Sequence, residues 1–349
     1  MARKTAMWKR LNLQTKMLPN WKRTQVLAVG ALIASMLIWS VSGIAIKHAL
    51  LVLPPFTMII LRFVPSVLLM LLIGLVCRSH SLFGLQRMQL PDLPIFLIAG
   101  FCQPFLYYLL ETFTYRALNS PTIAETLLST SPLIAPIFAA VLLRERITRS
   151  NILGILISTL GVFILTLWGE FSQPSTLNSQ PSTLNFSQPS TLNPQLSIGN
   201  PWGLLLAFAA VSAAVIDSIM MRKAPARYSP LSFIFYTQLI SLLFFLPIWF
   251  FREGPSAIYN LQSTIDQLQL YVALSCVAYL TLFASVIAFI LFCAALRKIG
   301  VTRANAFNNI RPAFTALWMF LFFGEHLPLG KWLGIGLIIF GLFVCQRKK

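Results

Sequence analysis

Apolar residues run along this chain in long blocks separated by short polar or basic stretches. Ten blocks stand out, at roughly 26–46, 56–76, 93–112, 120–143, 151–168, 202–221, 231–250, 270–294, 303–323 and 331–346. As helices they are long enough to cross a hydrocarbon layer, which is about 30 Å thick and takes about 20 residues. The last block is short for that task unless its helix begins before Lys331. The pattern predicts an all-α polytopic membrane protein with ten transmembrane helices. Between the fifth and sixth blocks, SQPSTLN occurs three times within residues 172–193, with no charge and no helical or strand period. Such a segment buries too little surface to offset its ordering entropy, so residues 169–200 read as a disordered linker.

The blocks on either side of that linker repeat one another. Residues 121–167 and 301–347 align 180 positions apart without a gap. In that register Pro132 meets Pro312, Glu145 meets Glu325, Gly154 meets Gly334 and Gly161 meets Gly341. Leu, Ile and Phe coincide by chance in apolar text; a Pro, a Glu and two Gly at one spacing rarely do. We read an internal duplication, with a first five-helix repeat at 24–168 and a second at 201–346. Five is odd, so the second copy is inverted in the membrane. Inverted repeats characterise secondary transporters, whose substrate sites lie between the repeats near the midplane.

Composition agrees with a lipid environment. The chain is 57% apolar and only 10% charged, where soluble proteins carry about a quarter charged residues. Its net charge of +18 could suggest nucleic acid, but the placement of the basic residues argues otherwise. With the N-terminus cytoplasmic, 21 Lys and Arg fall on the inner side, seven of them in the basic tail 1–23 and three at 347–349. Only four, Lys47, Arg116, Arg252 and Lys331, fall outside. That asymmetry fixes orientation and faces anionic lipid heads, with both termini cytoplasmic and the linker outside. The first block is too long for a signal-peptide core and reads as an uncleaved helix. Five scattered Cys form neither a disulfide framework nor a zinc pattern, and no metal or cofactor motif is present.

Two basic residues remain inside the blocks, Arg62 and Arg311, with Glu125 and Asp217 as acids and Glu111 at an edge. A charge at bilayer depth costs at least about 2.5 kcal/mol, so each must face protein or water. Internal pairing that locks helices together is one reading; lining of a substrate path or proton relay is the other. Glu125 is the leading candidate, because the repeat register sets it opposite Asn305. Helical spacing puts Glu125, Ser129 and Pro132 on one stripe and Asn305, Asn309 and Pro312 on its twin, with Asn308 adjacent. Polar residues followed by helix-perturbing prolines (Pro132, Pro312) fit a central cavity; interhelical hydrogen bonding is the alternative. Gly154, Gly161, Gly334 and Gly341 suit close helix packing, and Trp39, Tyr107, Tyr108, Tyr236 and Trp318 are weak candidates for a pathway.

The segment WSVSGIAIKHALLVLPPFTMIILRF and the Pro–Glu–Gly–Gly pattern of both halves resemble the drug/metabolite transporter superfamily, EamA type. The resemblance covers nearly the whole chain outside the tail and linker. It implies ten helices in two inverted repeats and a secondary permease for small organic metabolites, amino acids or related compounds. Export by alternating access across the bacterial inner membrane is the expected mode. Protons as coupling ion are a separate hypothesis, motivated by the intramembrane carboxylate of Glu125, and a homodimer is left open beside it. An uncoupled facilitator or channel of the same fold, or a polytopic membrane enzyme or sensor, are the alternatives; an enzyme would need a motif that the chain does not display.

Overall fold

The computed structural model describes residues 2–77, 80, 82–117, 126–171, 201–257, 267–323 and 328–346. Glu125, Glu325 and residues 172–200 of the linker lie outside the described residues. Every regular element among the described residues is helical. Nine helices among them are long and apolar enough to cross a membrane. Large apolar side chains such as Leu72, Val141 and Phe251 stand exposed on the outer surface, where lipid is the solvent that tolerates them. The protein is an integral, multi-pass membrane protein.

The chain begins with α1 (Ala2–Leu50), which carries the basic tail into the first span without interruption. A short link leads to α2 (Pro55–Val76). Proline opens this helix because its missing N–H falls where no intrahelical partner exists. Next come α3 (Leu93–Gly100), a π-helical stretch (Phe101–Leu106) and α4 (Tyr107–Ala117), which together make one broken span. Pro104 causes the break: Gln103 before it is extended, with φ −149° and ψ 125°, as sterics before proline require. The first half closes with α5 (Ser131–Leu143) and α6 (Arg149–Phe171).

The second half holds α7 (Pro201–Lys223) and α8 (Pro230–Arg252). Then α9 (Gln267–Tyr279), a π-helical stretch (Leu280–Ala288) and α10 (Phe289–Ile299) form one long span. After it, α11 (Val301–Ala306), a 3₁₀ stretch (Phe307–Ile310) and α12 (Arg311–Phe323) occupy the block expected at 303–323. That block is therefore interrupted rather than one continuous helix. The last helix, α13 (Leu329–Gln346), starts two residues before Lys331 and so gains the length its apolar block lacked.

The repeat register reappears in the coordinates. Helices α5 and α12 begin and end 180 positions apart, and α6 and α13 begin 180 apart. The irregular stretch before each of α5 and α12, at Ser129–Thr130 and Phe307–Ile310, also corresponds. So do the two π-helical stretches, offset by one residue at their starts. Pro132 and Pro312 each take the second position of the helix that follows a break.

The closest helix contact is that of α6 with α13. A Cβ on Gly154 would lie 2.5 Å from the Gly341 carbonyl oxygen, and one on Gly161 would lie 2.7 Å from that of Gly334. The first glycine of one copy meets the second of the other, so the two helices run antiparallel. Asn151 Nδ2 closes one end of this seam by donating to the Cys345 carbonyl at 2.7 Å. Elsewhere the same rule holds: α1 packs on α10, α4 on α7, and α2 on α8. Each helix of the first half finds its main partner in the second.

Candidate functional site

Where these cross-half pairs meet, they line a partly open cavity with about 70 Å³ of water-accessible volume. The broken spans supply much of its wall. Gln103 comes from the π-helical break, Tyr107, Tyr108 and Glu111 from the α4 that follows it, and Asn305, Asn308 and Arg311 from the interrupted α11–α12 span. The continuous helices add Trp39 and Ser42 from α1, Arg62 from α2, and Asp217 and Ser218 from α7. A helix break frees backbone groups and turns side chains inward, and a water-filled cavity is where a membrane tolerates that.

Arg62 is 3% exposed. Its Nε donates to Ser285 Oγ at 2.6 Å and its Nη2 to Tyr108 OH at 3.0 Å. The guanidinium also stacks over the Tyr108 ring, 4.7 Å from the centroid. Behind Ser285 the network continues: Gln238 Nε2 donates to the Ser285 carbonyl at 2.7 Å, and Ser66 Oγ donates to Gln238 Oε1 at 2.5 Å. Across the cavity Asn308 Nδ2 reaches Ser131 Oγ at 2.9 Å and Asn305 Oδ1 at 3.3 Å. Tyr107 OH donates to Glu111 Oε1 at 3.1 Å. Asp217 is 2% exposed and its Oδ1 has no hydrogen-bond partner.

The cavity gathers Arg62, Arg311, Asp217, Asn305 and Asn308 out of the residues singled out in the sequence. Asn309 does not join them. Its Nδ2 donates to Ser158 Oγ at 2.7 Å and Thr159 Oγ1 at 3.1 Å, so it fastens the 3₁₀ stretch to α6. The sequence-based stripe Asn305–Asn309–Pro312 assumed 3.6 residues per turn. Through the 3₁₀ stretch the period tightens toward three, and the face on the cavity becomes Asn305, Asn308 and Arg311. Ser129 is 1% exposed and its Oγ has no hydrogen-bond partner, away from the cavity wall.

Internal pairing, one of the two readings left open, does not apply to two of the charged residues. Among the described residues, no carboxylate lies within ion-pair distance of Arg62 and no Lys or Arg nitrogen within that distance of Asp217. An ion pair among the described residues joins Arg227 to Asp92 at the end of the bundle, where Tyr228 OH also donates to Asp92 Oδ2 at 2.6 Å. The Tyr228 hydrogen bond and then Asp92 push the Arg227 guanidinium above its usual pKa. Sequence reasoning gave little weight to Trp39, Tyr107 and Tyr108, yet all three line the cavity. Pro104 was the available signal, since it marks the break that brings the tyrosines inward. Tyr236 instead bonds the backbone at Gln86 and Met88, and Trp318 bonds Ser40. Among the described residues no group of three or more His, Cys, Asp or Glu converges to hold a metal ion.

The comparison with known families decides the identity. The model of the EamA-like transporter family matches this chain twice, over residues 26–167 and 201–346. The chain belongs to the EamA-like transporter family. Among curated relatives, the uncharacterized transporter YetK of Bacillus subtilis is 27% identical over 98% of this chain and 96% of its own length. An uncharacterized transporter of Archaeoglobus fulgidus is 23% identical over 89% of this chain and 95% of its own. A WAT1-related protein of Arabidopsis thaliana is 26% identical over 65% of this chain and 61% of its own. A solved crystal structure superposes with a TM-score of 0.66 at 17% identity, over 93% of this chain and 96% of that one, which is a likeness of fold. As an EamA-like protein the chain is a membrane transporter, with a small-molecule substrate and a lipid surround.

Proposed function

We propose that this EamA-like protein is a secondary permease that moves small organic metabolites, amino acids or related compounds, outward by alternating access. The observation that carries the reading is one cavity, built by both matched halves, that holds Arg62 and Arg311 together with Asp217 and Glu111. Charges of both signs at bilayer depth are costly; a polar cargo that passes between them gives them a use. The 24–168 and 201–346 units act as inverted repeats, with the basic tail, the carboxyl end and most Lys and Arg in the cytoplasm of a bacterial cell. Because each helix packs chiefly on the opposite half, the rocking bodies are mixed groups of helices rather than the two sequence halves. Protons are the coupling ion in this reading, with Glu125 as the carboxylate that trades them. Cargo and coupling must each bind the two open states with different affinity to drive the exchange.

The test compares metabolites inside and outside cells that lack or overproduce the protein. A defined set of small organic solutes should leave the overproducing cells faster, and collapse of the proton gradient should slow that exit. Unchanged exit after collapse would identify an uncoupled facilitator. No redistributed solute at all would refute transport of metabolites.

A further inference from the structure

We propose that Asp217 is the binding point for a positively charged amino group, so that the cargo of this cavity is an organic ammonium compound. The inference deepens the transport reading above and rests on it.

Asp217 is a charged group of the cavity with an unused acceptor and, unlike Arg311, whose buried Nε also lacks a hydrogen-bond partner, it carries the sign that a cation needs. It lies on the wall at 2% exposure, its Oδ1 has no hydrogen-bond partner, and among the described residues no Lys or Arg nitrogen lies within ion-pair distance. A buried carboxylate oxygen without a donor is costly, and the cost vanishes when a ligand brings the donor. Arg62 offers the contrast: Ser285 and Tyr108 already occupy its Nε and Nη2. Of these two groups the acid is the one whose buried atom has no partner at all.

The neighbouring wall says what kind of cation fits. Trp39 packs edge-on against Phe289 at 4.9 Å between ring centroids and tilts against Phe292 at 5.3 Å. All three rings line the same cavity as Asp217. Aromatic faces attract ammonium groups and also cover the carbon skeleton that carries them. A bare metal ion would need several more oxygen ligands, and no metal-holding group of acids, His or Cys exists among the described residues. A carboxylate beside an aromatic wall suits an amine with an organic body.

The experiment produces the full-length wild type, Asp217→Asn and Asp217→Glu in cells that lack the protein, and sorts redistributed metabolites by charge class. The wild type should redistribute solutes that carry an amino group. Asp217→Asn, at equal abundance in the membrane, should lose that flux by about tenfold or more, because a charge-assisted hydrogen bond becomes a neutral one. Asp217→Glu should keep part of it. Two results overturn the inference while transport itself stands: wild-type cargo without any amino group, or amine flux through Asp217→Asn equal to wild type. If no solute moves in any strain, the transport reading fails and this inference with it. If Asp217→Asn does not reach the membrane, the charge class of the wild-type cargo decides alone.

Discussion

Replacing Gly154 with alanine tests the seam that joins the two halves. Its new Cβ would lie 2.5 Å from the Gly341 carbonyl oxygen, and a Cβ on Gly341 would lie 2.6 Å from that of Gly154. The obstructing atoms are backbone, so no side chain can swing aside. Non-bonded contacts settle at about 3.5–4.0 Å, so α6 and α13 must part by about 1 Å along this stretch. Overpacking of this kind costs about 1–3 kcal/mol, and the opened seam also stretches the bond from Asn151 to Cys345. Gly336, on α13 as well, supplies the control, because a Cβ there meets nothing within 4 Å. Thermal unfolding of the purified protein in detergent measures both. Gly154→Ala and Gly341→Ala should each melt several degrees below wild type, and Gly336→Ala should match it. Equal melting of Gly154→Ala and Gly336→Ala would refute the close-approach reasoning.

Glu145 accepts hydrogen bonds from the backbone N–H of Val301 at 2.9 Å, from that of Thr302 at 3.3 Å and from Thr302 Oγ1 at 2.9 Å, capping α11. Glu145→Ala should cost about 0.5–2 kcal/mol of stability in the same melting assay, and Glu145→Gln less, since one acceptor remains. Asn309→Ala removes the ties to Ser158 and Thr159 and should cost about 0.6–1.7 kcal/mol. It should lower melting while leaving cargo selectivity unchanged, and a changed selectivity would place Asn309 on the substrate path after all. Glu125→Gln in proteoliposomes should abolish flux driven by a pH gradient but preserve exchange between equal pH; a gradient-driven flux equal to wild type would remove Glu125 as the coupling group.

Much of the architecture was written in one dimension. Block length located nine spans among the described residues, because a lipid layer demands about 20 apolar residues wherever a helix crosses; the remaining block, 303–323, is interrupted and is not among them. The glycines announced a close seam, because only a missing side chain allows two backbones to approach so far. The 180-residue register is matched by the starts of α5 and α12 and of α6 and α13, although the apolar blocks alone set two of those starts eight to eleven residues too early. Helical periodicity, by contrast, misplaced Asn309, because a straight helix was assumed through residues that fold as 3₁₀. Whether Arg62 pairs with an acid could not be read from the chain either. Ser285 and Tyr108 stand 223 and 46 residues away from it, and only tertiary packing brings them to the guanidinium. Local composition thus decided what must sit in the membrane and which helices could touch. The fold alone decided which buried charges are satisfied and left Asp217 unsatisfied, since a hydrogen bond depends on ångström-scale geometry between segments far apart in the chain.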